Sequence, residues 1–141
     1  MTRAAALGCA CALLAAMATA AAARKPESPE AFFASRDQRL VAAQLATLPR
    51  QQAGVVDLYA IGVAGDGTQD VFRTEADYFA SLMAQRFHAR GVLTLVSHVD
   101  SLGTKPKPLA SYDNLHDAIS GVAKRMNRRE DILRTLRLEV L

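Results

Sequence analysis

Residues 55–63 read Val-Val-Asp-Leu-Tyr-Ala-Ile-Gly-Val, a β-rich and nearly continuous apolar run entered through Gly54 and left through Gly65-Asp66-Gly67. A strand of this kind has no polar face to offer water. It must be covered on both sides, as in a parallel sheet. Phe72, Ala76, Phe79, Met83 and Phe87 then recur at steps of four, three, four and four, the spacing of an amphipathic helix, with Gly91 in position to stop it. Residues 92–97 form a second β-rich run. A loop containing Gly103, Pro106 and Pro108 leads to Leu115, Ile119, Val122 and Met126, which mark another helix. The order strand, helix, strand, helix predicts an α/β fold built on a parallel pair with a right-handed crossover.

Two flanking segments are less determined. Ser28-Pro29-Glu30 is a helix start, with a serine cap, a proline at the first helical position and an acid in the first turn. Phe33, Leu40, Val41, Leu45 and Leu48 can share one face of a helix ending before Pro49. Both a packed helix and an exposed, partly helical pro-segment are compatible with that pattern. At the other end, Leu136, Leu138 and Val140 alternate with Arg137 and Glu139 like a strand, while Ile132, Leu133 and Leu136 also suit a helix.

Met1-Thr2-Arg3 is a short positive start, Ala4 to Ala18 an uncharged apolar core, and small residues continue to Ala23 before Arg24-Lys25. That order is a secretory signal peptide, so the chain is expected to be exported to a periplasm or the outside of a cell. The apolar core falls short of the ~20 residues of a membrane span, and no membrane association is expected beyond this segment, unless it is kept as an anchor. The organisation is therefore 1–23 signal peptide, 24–53 helical lead and 54–141 main domain. Cys9 and Cys11 are the chain's only cysteines, and both lie in the removable segment. The mature chain then has no disulfide, no cysteine-ligated metal and no thiol nucleophile. The formal charge of +3 comes from bases scattered among acids, which excludes the concentrated basic patch of a nucleic-acid partner.

Several pieces in order carry a resemblance: Gly54-Val55-Val56-Asp57-Leu58-Tyr59-Ala60-Ile61-Gly62-Val63-Ala64-Gly65-Asp66-Gly67, Val71-Phe72-Arg73, Leu82-Met83-Ala84-Gln85-Arg86-Phe87, Leu95-Val96-Ser97-His98, Leu109-Ala110 with Asp113-Asn114-Leu115, and Arg129-Glu130-Asp131-Ile132-Leu133. Residues 44–133 resemble the bacterial branch of the legumain-like cysteine peptidases, within the caspase-like group. The resemblance implies the front half of an α/β/α sandwich with a mostly parallel sheet, incomplete here, and an endopeptidase family acting on peptides or proteins. The family's dyad is a histidine in a His-Gly pair after the third strand and a cysteine after the next. The third strand would begin at Asp131-Ile132-Leu133, but no His-Gly and no cysteine follow. A frameshifted or truncated gene is the expected origin, and an inactive chain the expected consequence. No catalytic residue, metal or cofactor is assigned.

Arg73 is the one position to which a family role carries over. The segment Phe72-Arg73-Thr74-Glu75-Ala76-Asp77 is similar to the one that places an arginine in the pocket for the residue before the cut, where a planar guanidinium suits an amide or carboxylate oxygen. Val71 stands where animal and plant legumains have asparagine. The bland alternative is a surface arginine in a helix's first turn. His98 follows the second strand, where open α/β sheets build sites, but it does not match the family's catalytic histidine and reads as structural or solvent-facing. His88 and His116 lack metal-type spacing. Residues 62–67 fit neither phosphate-loop pattern, and Asp66 and Asp70 fail the calcium-loop spacing. Three functions follow in order: a peptidase-derived chain inactive because the dyad is missing, a non-enzymatic exported α/β module that keeps the front half of the fold to bind a protein or peptide, and an unrelated doubly wound domain holding a small ligand at residues 65–68.

Overall fold

A computed structural model of the chain describes residues 28–138. The expected signal segment 1–23, the first residues of the expected lead and residues 139–141 lie outside the described residues. Ser28 caps the first helix, α1 (Pro29–Thr47), by accepting a hydrogen bond from the Ala31 N–H at 3.2 Å. The helix is packed rather than exposed: Val41 and Leu48 are buried, and Leu45 packs against the same cluster.

The first strand, β1 (Leu58–Ala64), is buried along its length except at Leu58. It begins later than the apolar run suggests, because Val55 and Val56 lie in the turn before it and are exposed. α2 (Asp70–Gln85) follows, burying Ala76 and Met83. The sequence placed its stop at Gly91, but the chain turns earlier. His88 takes the left-handed conformation (φ 51°), and the Ala89 N–H closes back on the Met83 carbonyl at 2.8 Å. The left-handed position after the helix is filled by histidine, one of the side chains that tolerates positive φ, where glycine is usual. Phe87 consequently falls beyond the helix and is exposed. Gly91 instead opens β2 (Gly91–Val96), and its missing Cβ makes room for Leu48, whose side chain a methyl there would strike.

A short 3-10 turn (Val99–Leu102) precedes α3 (Tyr112–Ala123), which Ser111 caps by accepting from the Asn114 N–H. The ambiguous tail is a strand, β3 (Ile132–Leu138). The three strands form one all-parallel sheet in the order β2-β1-β3, with Ile61 level with Leu93 on one side and Thr135 on the other. α1 and α3 cover one face, closing over Tyr59, Ile61, Val63, Leu93 and Leu95. α2 covers the other, over Ala64 and Val96. Stepping from β1 to β2 across one face and returning past β1 to β3 across the other keeps both crossovers of one hand. The expected mixed α/β class and parallel pairing are present.

Candidate functional site

The carboxyl ends of β1 and β2 release two loops that come together above the sheet. After β1, Asp66 turns the chain by accepting from the Thr68 hydroxyl (2.7 Å) and N–H (2.8 Å), and these bonds hold its carboxyl below the usual range, the hydroxyl contributing most. Gly67 lies so close to the Ser97 carbonyl that a Cβ would collide with it, which binds the first loop to the end of β2. The loop then enters α2, with Asp70 in its first turn and Arg73 one turn on.

From the second loop, His98 reaches back. Its Nδ1 accepts from the Asp100 N–H at 3.2 Å, so the ring proton lies on Nε2, which stands 3.0 Å from Asp70 Oδ1. The imidazole is only 10% exposed and ties the two loops together, in keeping with its structural reading. Arg73 completes the group, with Nη2 3.4 Å from Asp70 Oδ1 and Nε 3.6 Å from Asp100 Oδ2. The second distance allows attraction but is too long for a hydrogen bond, and Nε is a buried donor with no partner among the described residues.

Asp70, His98 and Asp100 offer ligand atoms that all lie within 4.8 Å of one another, a set the spacing of His88 and His116 gave no hint of. The cation position among these carboxylates is taken by the Arg73 guanidinium, and the His98 nitrogens are engaged with Asp70 and a backbone N–H. His88 serves the turn after α2, and His116 is an exposed side chain 3.5 Å from Asp117. The two are not brought together with His98.

Beside Arg73 opens a cleft of about 540 Å³ lined also by Asp77, Asp100, Ser101, Thr104, Lys105 and Lys107. Lys107 is paired with Asp77. The cleft wall is held from below: Arg36 of α1 donates to the carbonyls of Ser101 and Lys107, and the buried Asp37 accepts from the Leu109 N–H (3.1 Å) and Asn114 Nδ2 (2.9 Å). Chemically, the cleft offers a partly exposed guanidinium fork and an ammonium to an acceptor-rich group. Residues 65–68 offer less, because the Thr68 N–H that an anion would need is already given to Asp66. The lysines and the two acids around Arg73 were not read from the sequence. The Asp70–Arg73 spacing of three within one helix was the available signal. No protein family, characterised protein or solved structure matches this chain.

Proposed function

We propose that this chain is an exported protein built on the front part of a legumain-like peptidase fold, and that it holds a peptide or protein at the Arg73 cleft without cutting it. The observation that carries this reading is Arg73, whose side chain lines an open cleft while its buried Nε–H has no hydrogen-bond partner among the described residues. A donor left in that state costs about 1–3 kcal/mol, which an acceptor oxygen from a ligand recovers. A carboxylate or side-chain amide meets the planar fork of a guanidinium best. Cutting finds no support. Residues 24–141 contain no cysteine, so no thiolate can form an acyl-enzyme, and His98 is committed to Asp70.

The test uses labelled peptides that differ at one position, carrying Asn, Asp or Ala, titrated against the exported protein by fluorescence anisotropy. Asn or Asp peptides should bind and the Ala peptide should not. Arg73→Ala should weaken binding about tenfold, with Arg73→Lys intermediate because it keeps charge without the fork. Equal binding by Arg73→Ala, or turnover blocked by iodoacetamide, would sink the proposal. A second reading, an exported α/β binding module with no peptidase ancestry, draws on the way α1 is built into the same core as the sheet. Partner binding that ignores Arg73 altogether would favour it.

A further inference from the structure

The charged groups lining the Arg73 cleft fall into pairs, with one cation left over. Lys107 meets Asp77 of α2, and Arg73 has Asp100 beside its Nε at 3.6 Å and Asp70 beside its Nη2 at 3.4 Å. Lys105 lines the same cleft, and among the described residues it has no hydrogen bond and no ion pair. The segment that carries it is held, although the side chain itself is exposed. Arg36 Nη2 donates to both the Ser101 and Lys107 carbonyls, and the Lys107 N–H returns to the Ser101 carbonyl at 3.2 Å, so residues 101–107 form a closed loop. Pro106 fixes its own φ and disfavours helical backbone at Lys105. The root of the Lys105 stem is thereby set before any ligand arrives, and only the rotamers of the stem remain to be ordered.

We propose that Lys105 is an anion subsite beside Arg73, so that the ligand of this cleft is an acidic peptide. Its Asn or Asp meets the Arg73 fork, and a second acid at a neighbouring position, Asp or Glu, meets Lys105. The inference rests on the reading of the cleft as a peptide site and adds to it the charge of the peptide. An unpaired lysine on an open surface is met on all sides by water. Lys105 instead shares a cleft with a buried donor that lacks an acceptor, so a ligand seated on Arg73 passes beside it. Arg73 already has two carboxylates against it, and a second acid of the ligand would add a further like charge there. At Lys105 the same acid meets an ammonium with no acid of its own. The two cations also differ in what they ask of a ligand. The planar guanidinium fixes the orientation of one group, while an ammonium on a flexible stem takes a carboxylate from several directions. At about 540 Å³ the cleft falls in the range of clefts that seat a ligand of several groups. An ion pair at an exposed lysine changes affinity by a few-fold, so Lys105 selects among peptides that Arg73 holds.

Fluorescence anisotropy on the full chain separates this subsite from the Arg73 site itself. The parent probe is a labelled peptide with a single Asn among alanines, and in its variants one alanine near the Asn becomes Asp or Lys. At least one Asp variant should bind about threefold tighter than the parent and its Lys counterpart more weakly, with the difference shrinking as salt is raised. Lys105→Ala should abolish the difference between the Asp and Lys variants, and Lys105→Glu should reverse their order. Lys124→Glu, the same change of charge at the other end of α3, should keep the original order. Peptides that bind through Arg73 with no preference between Asp and Lys variants overturn the Lys105 subsite and leave the Arg73 reading standing. So does an order that Lys105→Glu fails to reverse, or one that Lys124→Glu reverses equally. Failure of every peptide to bind overturns both readings together.

Discussion

Asp66 shows how a single side chain fixes the loop that leads to the site. Burial works against the charged form here, as the smallest of the three causes. What lowers its proton affinity is the Thr68 hydroxyl first and the Thr68 N–H second, both donating to one carboxylate oxygen. A carboxyl whose folded pKa lies below its unfolded value stabilises the fold above the unfolded pKa and loses that contribution as pH falls through the folded one. Thr68→Val removes the larger cause and leaves the N–H. The Asp66 carboxyl should therefore titrate closer to the ordinary range, followed through its 13Cγ shift, and the acid-side loss of loop order should begin at a higher pH. An unchanged titration in the variant would show that the hydroxyl is not what holds the charge. The place of Arg73 near the start of α2 and this turn were legible in the sequence for different reasons, one by helical spacing and one by its Gly-Asp-Gly composition. The partners Asp70, His98 and Asp100 were not, because they meet across two loops from two strands and no local spacing joins those loops.

At the level of elements, α1 does more than cover the core. Its apolar positions were readable as a helical face, but Asp37 sits on that helix as a buried acid, 3% exposed, and periodicity gives no reason for one. The reason is the long loop before α3. That loop leaves the Leu109 N–H and the Asn114 amide facing inward, and Asp37 accepts from both while paired with Arg36, which in turn holds the Ser101 and Lys107 carbonyls. Burial of a carboxylate is tolerated only with this degree of pairing. Asp37→Ala strands two donors and a guanidinium at once, so it should lower stability by about 3 kcal/mol in urea unfolding. It should also free the wall of the Arg73 cleft, seen as faster chymotrypsin cleavage after the exposed Leu102. A loss under about 0.5 kcal/mol, the range of an ordinary surface change, would mean the loop holds its shape without α1.

For the whole molecule, the sheet order sets a gradient of stability. The α/β class and the pairing of β1 with β2 were legible because their signals are local: apolar runs bounded by glycines, and a four-three rhythm between them. For β3 the residue pattern left strand and helix open, since Arg134 and Arg137 interrupt its apolar residues, and a strand starting at residues 131–133 was expected only from the resemblance; pairing with β1 decides it. The same fact bears on energetics. Tyr59, Ala60 and Ile61 are fully buried, with strands on both sides and helices on both faces. Among the described residues β3 pairs with a strand on one side only, and four of its seven residues are exposed. Local opening follows contact density and burial, so β3 should detach before the rest of the sheet opens. Native-state hydrogen exchange at low protein concentration should show it. The Arg134 and Leu136 amides, which bond to β1, should exchange through an opening of lower free energy than the amides of Gly62 and Leu93, and with a smaller denaturant dependence. Arg134 exchanging as slowly as Gly62 would contradict the gradient. β3 would then be as firmly part of the cooperative unit as β1, and the one-sided pairing of the strand would have to be offset by packing under α2 alone.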